Sequence, residues 1–392
     1  MMDVAPVGYL TEERLLMRDA ARRFSDEEVT PLANRLDPEK GDIPRALIEK
    51  MGALGFFGIM IPKDCGGLGL GAFEYCLIAE ELARGWMSVA SIIARGNGFY
   101  RSIPGDGDHR RAKIEAMARG EYLGAAALSE PQTGSDLSSV ACRARREGDE
   151  WVITGNKYWC TFADGADFIA VLCRIDDASN PAAGTVTVVV EKPRGQLPAG
   201  CTGAPIPKIG YFGWKTWELR FDGARAPVAA HGSSSEGRAF QATAAGLEVA
   251  RAHTAARSIG LAQAALDHAS AYARERIQFG VPITDFQAIR FKIATMATEI
   301  EASRQLMYHA CTLIDSGQSA TIETSMVKYF ASEMSERVTS EALQILGGAG
   351  YTTMHPVERY WRDARLTKIF EGTSEIQQRI ISDRLLGKPT RR

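Results

Sequence analysis

WVITGNKYW, residues 151–159, is the stretch on which the fold turns. It is short and rich in β-branched and aromatic residues, which suit a pleated, half-buried strand. FIAVLCR (168–174) and TVTVVVEKP (185–193) continue the style, with Gly, Pro, Asn and Asp between the runs. TWELRFDGARAP (216–227) reads as the last strand, closing at Pro227, and the strand-like pattern begins near Glu121. On either side of this block the periodicity changes. Upstream, Leu15, Leu16, Ala20 and Phe24 recur at helical spacing behind Thr11 and Glu13. Pro31 and Pro38 are expected to break that region, and a second helix is predicted from Pro44 to Leu54. A glycine-dense loop, IPKDCGGLGLG (61–71), follows; helical spacing resumes from Ala72 to Ala83 and again from Met87. Downstream of Gly232, amphipathic helices are predicted over Gln241–Arg276, Phe286–Ser316, Ile322–Leu346 and Ile376–Leu386. The order helix, strand, helix gives a mainly α chain with a central all-β domain, divided at 1–122, 123–232 and 233–392.

Composition narrows the class. The chain has 392 residues, 45 % hydrophobic and 24 % charged, ordinary for a globular protein with room for a large core. The net charge of −2 gives no case for nucleic acid. The cluster Arg143, Arg145 and Arg146 is followed at once by Glu147 and Asp149 and reads as a solvated surface. Seven cysteines, none in close pairs, argue against a metal or redox motif and for reduced thiols in a cytoplasmic setting. No segment approaches the roughly 18 apolar residues a membrane helix needs.

The strongest chemical signal is KIFEGTSEIQQ (368–378). Glu371 sits on a Gly-containing turn, and Ser374 with Gln377 fits a capping box that opens a helix. A carboxylate there stands beside free N–H groups and a positive dipole end; a plain acidic helix start fits the same residues. LSEPQTGSD (128–136) opens the strand region with small polar groups. In KYWCT (157–161), strand alternation places Trp159 and Thr161 on one side, an indole and a hydroxyl able to border a planar ring, although a core tryptophan fits too. RERIQFG (274–280) and QILGGAG (344–350) each end a helix, the second with glycines that permit close backbone approach.

Taken together and in this order, the Ser-Glu-Pro-x-x-Gly-Ser-Asp, Arg-x-x-Gln-Phe-Gly, Gln-Ile-Leu-Gly-Gly and Glu-Gly-Thr runs resemble the acyl-CoA dehydrogenase family across essentially the whole chain. The resemblance implies an N-terminal helical domain, a middle β-barrel and a C-terminal four-helix bundle. It implies bound FAD, a homotetramer, and electron-transfer flavoprotein as electron acceptor. The implied reaction takes an α-proton and a β-hydride from an acyl thioester, giving the trans-2-enoyl-CoA. The implied base is Glu371. In a minority of the family the base sits in an earlier helix, where this chain has Ala250 before Arg251, and alanine takes no proton. Phe370 replaces a tyrosine often found before the glutamate. By position, Leu128, Ser129, Gly134 and Ser135 should meet flavin or thioester, and Trp159 and Thr161 the flavin ring. Thr373 and Glu375 should touch FAD, Gln344, Gly347 and Gly348 its adenosine or pyrophosphate end, and Arg276, Gln278 and Phe279 a neighbour's FAD. Ser135, Arg251 and Arg95 are the expected substrate contacts. Arg95 interrupts an apolar stretch, RGWMSVASIIARGNGFY (84–100), that matches the far end of the family's acyl pocket. An arginine there suits a second carboxylate, as in family members acting on 2-substituted succinyl-CoA; a helix cap and a short or branched monocarboxyl substrate are the alternative. An acyl-CoA oxidase and a non-catalytic flavin-binding helical protein are the rival functions.

Overall fold

The computed structural model describes residues 8–177, 184–230 and 246–389. Helix α1 (Glu12–Phe24) starts at Thr11, whose side chain accepts from the backbone N–H of Arg14. Pro31 does not break the helical path. A single π-turn, Ser25–Val29, absorbs it, and α2 (Thr30–Leu36) continues with the proline in its first turn, where no N–H is missed. After α3 (Arg45–Ala53) the glycine-dense loop leads to α4 (Ala72–Gly85), then α5 (Met87–Ile92), α6 (Ala94–Asn97) and α7 (Gly107–Ala118).

Strands β1 (Gly124–Ala127), β2 (Arg143–Glu147), β3 (Glu150–Thr161), β4 (Phe168–Ile175), β5 (Thr185–Glu191), β6 (Cys201–Pro205) and β7 (Thr216–Pro227) form one curled seven-stranded sheet. Residues 168–174 of β4 pair with β5 on one edge; the other edge takes β1 and then β2 end to end. The sheet continues β2–β3–β7–β6, antiparallel throughout. The basic cluster at 143–146 is β2, with Arg143, Arg145 and Arg146 outward and Ala144 in the core.

The C-terminal part consists of α8 (Leu247–Glu275), a small hairpin β8 (Ile277–Gln278) and β9 (Val281–Pro282), α9 (Gln287–Asp315), α10 (Thr321–Leu346), α11 (Val357–Thr367) and α12 (Ser374–Leu386). The expected helix start at Gln241 lies outside the described residues. Helix α8 is the axis of the molecule, since α4, α9, α10 and α11 all pack on it. Its small residues permit this: a Cβ on Gly260 would fall 2.2 Å from the Glu80 carbonyl oxygen, so only glycine lets α4 approach so closely. Among the described residues no helix is long and apolar enough to cross a membrane.

Candidate active site

Glu371 adopts φ +54°, a left-handed conformation unusual for a residue with a side chain, and Gly372 follows at +92°. Three elements hold this turn. From α10, fully buried Lys328 donates to the Gly372 carbonyl at 2.6 Å, and the Gln377 amide of α12 donates to the same oxygen at 3.1 Å. From α8, Arg257 reaches up, and one of its nitrogens, Nη2, lies 2.8 Å from both Glu371 carboxylate oxygens. The Thr254 hydroxyl lies 2.5 Å from Oε2. Backbone strain at a side chain so firmly held is a mark of a working site.

Arg257 is itself enclosed. It is 1 % exposed, its Nη1 donates to Ser91 Oγ of α5 at 2.8 Å, and its guanidinium lies 4.7 Å from the centre of the Phe370 ring. Burial acts to raise the Glu371 pKa, but the Arg257 charge and the hydrogen bonds from Thr254 and Arg257 outweigh it, so the net shift is downward. Glu371 is therefore a carboxylate at neutral pH, with a third of its side chain open (34 %). Around it stand three buried rings. His253 stacks on Tyr75 at 4.6 Å, its Nε2 donates to the Ala90 carbonyl at 3.1 Å, and burial pushes its pKa down to about 3. Tyr211 meets Phe370 edge-on at 6.0 Å.

The sheet joins this site through a chain of contacts. Thr161 Oγ1 lies 3.0 Å from Thr216 Oγ1, Lys208 Nζ donates to Thr216 Oγ1 and to the Tyr211 carbonyl, and Tyr211 packs on Phe370. Next to Thr161, a bulge between Lys157 and Cys160 puts Trp159 at φ +64°. Simple strand alternation therefore does not govern Trp159 and Thr161; the bulge sets the indole, which is 56 % exposed and not part of the core. The 128–136 loop is fixed to this strand by a buried ion pair, Lys157 Nζ to Glu130 Oε1 at 2.9 Å, with Lys157 also donating to the Leu128 carbonyl. Tyr158 N–H donates to the Ser129 carbonyl at 2.8 Å. Leu128 and Ser129 are half-buried; Gly134 and Ser135 are exposed.

The helix after the turn begins one residue earlier than expected. Thr373 is the N-cap, its side chain accepting from Ile376 N–H, while Ser374 Oγ donates to Glu333 on α10 and the Gln377 amide turns back to Gly372. The Ser374–Gln377 capping box is thus replaced by a Thr373 cap, because α10 offers Ser374 a carboxylate.

The remaining residues expected at the site are spread more widely. Arg276, Gln278 and Phe279 sit at the far end of α8, with Phe279 94 % exposed at φ +54°. Nineteen residues of helix separate Arg257 from Arg276, a span of ~28 Å. Gln344, Gly347 and Gly348 are exposed at the end of α10, ~24 Å along the helix from Lys328. Arg251 is 7 % exposed with its Nε unpartnered among the described residues. Arg95 is half-buried on α6, its guanidinium 5.8 Å from the Phe99 ring, with no carboxylate partner among the described residues. Its charge bears on Tyr75, Tyr211 and His253, the same rings that feel Arg257. A separate charged cleft of about 980 Å³ between α1, α4, α8 and α9, lined by residues such as Arg22, Glu80, Glu81 and Arg304, contains none of the nominated residues. Among the described residues there is no cluster suited to a metal ion.

Models of the acyl-CoA dehydrogenase N-terminal, middle and C-terminal domains match residues 11–121, 125–224 and 237–386. The chain belongs to the acyl-CoA dehydrogenase family. It is 38 % identical over 384 residues to (2S)-methylsuccinyl-CoA dehydrogenase of Cereibacter sphaeroides, covering 96 % of this chain and 70 % of that one. It is 38 % identical over 377 residues to benzylmalonyl-CoA dehydrogenase of Aromatoleum aromaticum, covering 95 % and 98 %. Among solved structures, butyryl-CoA dehydrogenase of Megasphaera elsdenii superposes with a TM-score of 0.89 at 31 % identity, covering 98 % and 100 %. A glutaryl-CoA dehydrogenase in complex with glutaryl-CoA gives 0.89 at 30 %, covering 100 % and 98 %. This acyl-CoA dehydrogenase is an FAD-dependent oxidoreductase acting on the CH–CH bond of acyl-CoA. The residues present fit that cofactor. An exposed indole beside Thr161, the half-buried Leu128 and Ser129, and the Thr373 cap at an open helix N-terminus offer apolar faces with polar edges, as a planar hydrogen-bonding ring needs. Sequence reading missed Thr254, Arg257, Ser91, Lys328, Lys157 and Glu130. The one available signal was Arg257 itself, a large charged residue inside the otherwise small-residue run HTAARSIGLAQ (253–263).

Proposed function

We propose that Glu371 is the base of this dehydrogenase and that its preferred acyl-CoA carries a second carboxylate. The observation behind the first half is the strained, triply held turn that presents an ionised Glu371 carboxylate at the junction of sheet and bundle. The α-proton of a thioester is weakly acidic, so the base must be ionised and fixed against it. FAD, when bound, supplies the acceptor for the β-hydride. Trp159, Thr161, Leu128 and Ser129 would hold it from the sheet, and Thr373 and Glu375 from α12. Glu371→Gln keeps the shape and removes the proton acceptor; flavin should stay bound while its anaerobic bleaching by acyl-CoA slows by several orders of magnitude. Near-normal bleaching in that variant would move the base elsewhere. If no thioester bleaches the wild-type flavin, the reaction itself is misassigned.

The observation behind the second half is Arg95, which has no carboxylate partner among the described residues and whose charge bears on the buried rings around Glu371. Relatives named for methylsuccinyl-CoA and benzylmalonyl-CoA point the same way. Arg95→Met should cost dicarboxyl thioesters about 3 kcal/mol, roughly a hundredfold in kcat/KM, and leave butyryl-CoA nearly unchanged. An equal loss on both would remove Arg95 from substrate recognition.

Arg276, Gln278 and Phe279 complete a neighbouring subunit's FAD site in a homotetramer, and their distance along α8 from Glu371 supports this. Gln344, Gly347 and Gly348 approach the adenosine or pyrophosphate end of FAD. Electron-transfer flavoprotein is the proposed acceptor. Reoxidation by that protein far faster than by dioxygen would separate a dehydrogenase from an oxidase.

A further inference from the structure

Arg257 does more than sit near the base. Its Nη2 straddles both oxygens of Glu371, and a single Thr254 hydroxyl bonds the same carboxylate. A carboxylate so occupied is a weaker base, and three of its roughly four lone-pair positions are taken, which ties it to α8. The guanidinium cannot simply let go, because it is 1 % exposed and would become an unpaired buried charge. It does hold hydrogen-bonding capacity in reserve. Nη1 carries two protons and has one partner, Ser91 Oγ, at 2.8 Å among the described residues.

We propose that Arg257 is a latch on Glu371, opened when a carboxylate attached to the substrate's β-carbon takes over the guanidinium. This rests on Glu371 being the base. One carboxylate replaces another, so Arg257 stays paired throughout while Glu371 is released. Reach sets the substrate class. Arg257 touches the group that must meet the α-carbon, so the incoming carboxylate must lie within two bonds of that carbon, as in a succinyl thioester. A plain acyl chain has nothing to exchange, and its α-proton meets a base that is still held. Selectivity then appears in the rate of proton abstraction and not only in binding. The Phe370 ring under the guanidinium and the Ser91 bond on its other side keep it in place during the exchange.

The other groups facing Glu371 do not mimic this device. On α8, His253 is neutral; on α4 and in the 206–215 loop, Tyr75 and Tyr211 have pKa values raised by burial. On α10, burial pushes Lys328 down to about 8, and its hydrogen bond goes to the Gly372 carbonyl. Glu375 on α12 is exposed and below its ordinary value. Arg95 on α6, whose charge bears on the same rings as that of Arg257, shares the substrate carboxylate with Arg257, one oxygen to each.

The test is single-turnover anaerobic flavin reduction by methylsuccinyl-CoA and by butyryl-CoA, as a function of pH, in wild type, Arg257→Gln and Arg257→Lys. In wild type the acid limb with butyryl-CoA should lie below that with methylsuccinyl-CoA, because the latched base has the lower pKa. Arg257→Gln should speed reduction by butyryl-CoA about tenfold, slow reduction by methylsuccinyl-CoA at least tenfold, and raise the butyryl acid limb. Arg257→Lys, which keeps the charge but cannot serve Ser91 and both oxygens together, should fall between. A purely structural arginine would depress both substrates alike. Parallel losses in the variants, or identical acid limbs for the two substrates in wild type, overturn the latch. An active Glu371→Gln variant would instead overturn the assignment of the base.

Discussion

At the scale of single residues, the site is a left-handed turn closed by opposite charges. Glu371 and Gly372 both have positive φ, and a Cβ on Gly372 would meet Gln377 Nε2 at 2.5 Å. Gly372→Ala should cost about 1–2 kcal/mol in chemical denaturation and slow flavin reduction, since alanine resists the conformation and pushes away one of two donors to the 372 carbonyl. Unchanged stability would mean that the turn relaxes freely. Glu371 also links pH to activity and folding. Its folded pKa lies below the ordinary carboxylate value, so its stabilising contribution is present above the unfolded pKa and is lost as pH falls through the folded one. The identity of Glu371 was legible from Lys368–Gln378 because a Gly-containing turn before a helix leaves a local signature. Its partners were not, because Arg257 and Thr254 meet it across more than a hundred residues. No periodicity within α8 indicates which residue outside the helix its buried arginine will face.

At the scale of elements, the strands around WVITGNKYW and the helices from Phe286 and Ile322 were legible because their periods are strong. Helix α11 was not expected. Its core face is Val357, Tyr360 and Ala364, but Arg359 and Asp363 are buried on it as well, so its apolar stripe is interrupted by charge. Tertiary pairing explains the exception: Asp363 Oδ1 accepts from Tyr211 N–H at 2.5 Å, tying α11 to the loop that packs on Phe370. Burial, then the Asp37 charge, pushes the Asp363 pKa up to about 7. The native state therefore keeps a proton that the unfolded chain releases near pH 4. Stability from this group is full below the unfolded pKa and is lost as pH rises toward 7. Asp363→Asn removes the titration and keeps an acceptor for Tyr211. Relative to wild type, its urea midpoint should improve between pH 5 and pH 8 by the equivalent of about 2–3 kcal/mol. A difference between the two proteins that does not change with pH would show that Asp363 is ionised in the fold.

At the scale of the whole molecule, α8 separates two half-sites. Its N-terminal half carries Thr254 and Arg257 against Glu371; its C-terminal end carries Arg276 and the hairpin with Gln278 and Phe279. A rigid helix cannot fold back, so ~28 Å keeps these apart within one chain. Phe279 at 94 % exposed, with Ile277 and Tyr351 also exposed, is apolar surface that a lone chain gains nothing from presenting. The homotetramer proposal accounts for it, since each subunit would lend this end of α8 to a neighbour's FAD. Complementation between two defective chains tests the idea directly. Glu371→Gln subunits have a dead base but an intact arm. Subunits with Arg276→Ala and Phe279→Ala have an intact base but a defective arm. Each homo-oligomer should be nearly inactive in anaerobic flavin reduction by acyl-CoA. After unfolding and refolding together in equal amounts with FAD, about a quarter of sites should pair a good base with a good arm, if subunits mix at random. Activity should return to that fraction of wild type and should not appear when the two are refolded apart and then combined. Failure to recover activity in a mixed oligomer confirmed by mass spectrometry would place each FAD site within a single subunit, and the exposed end of α8 would need another explanation.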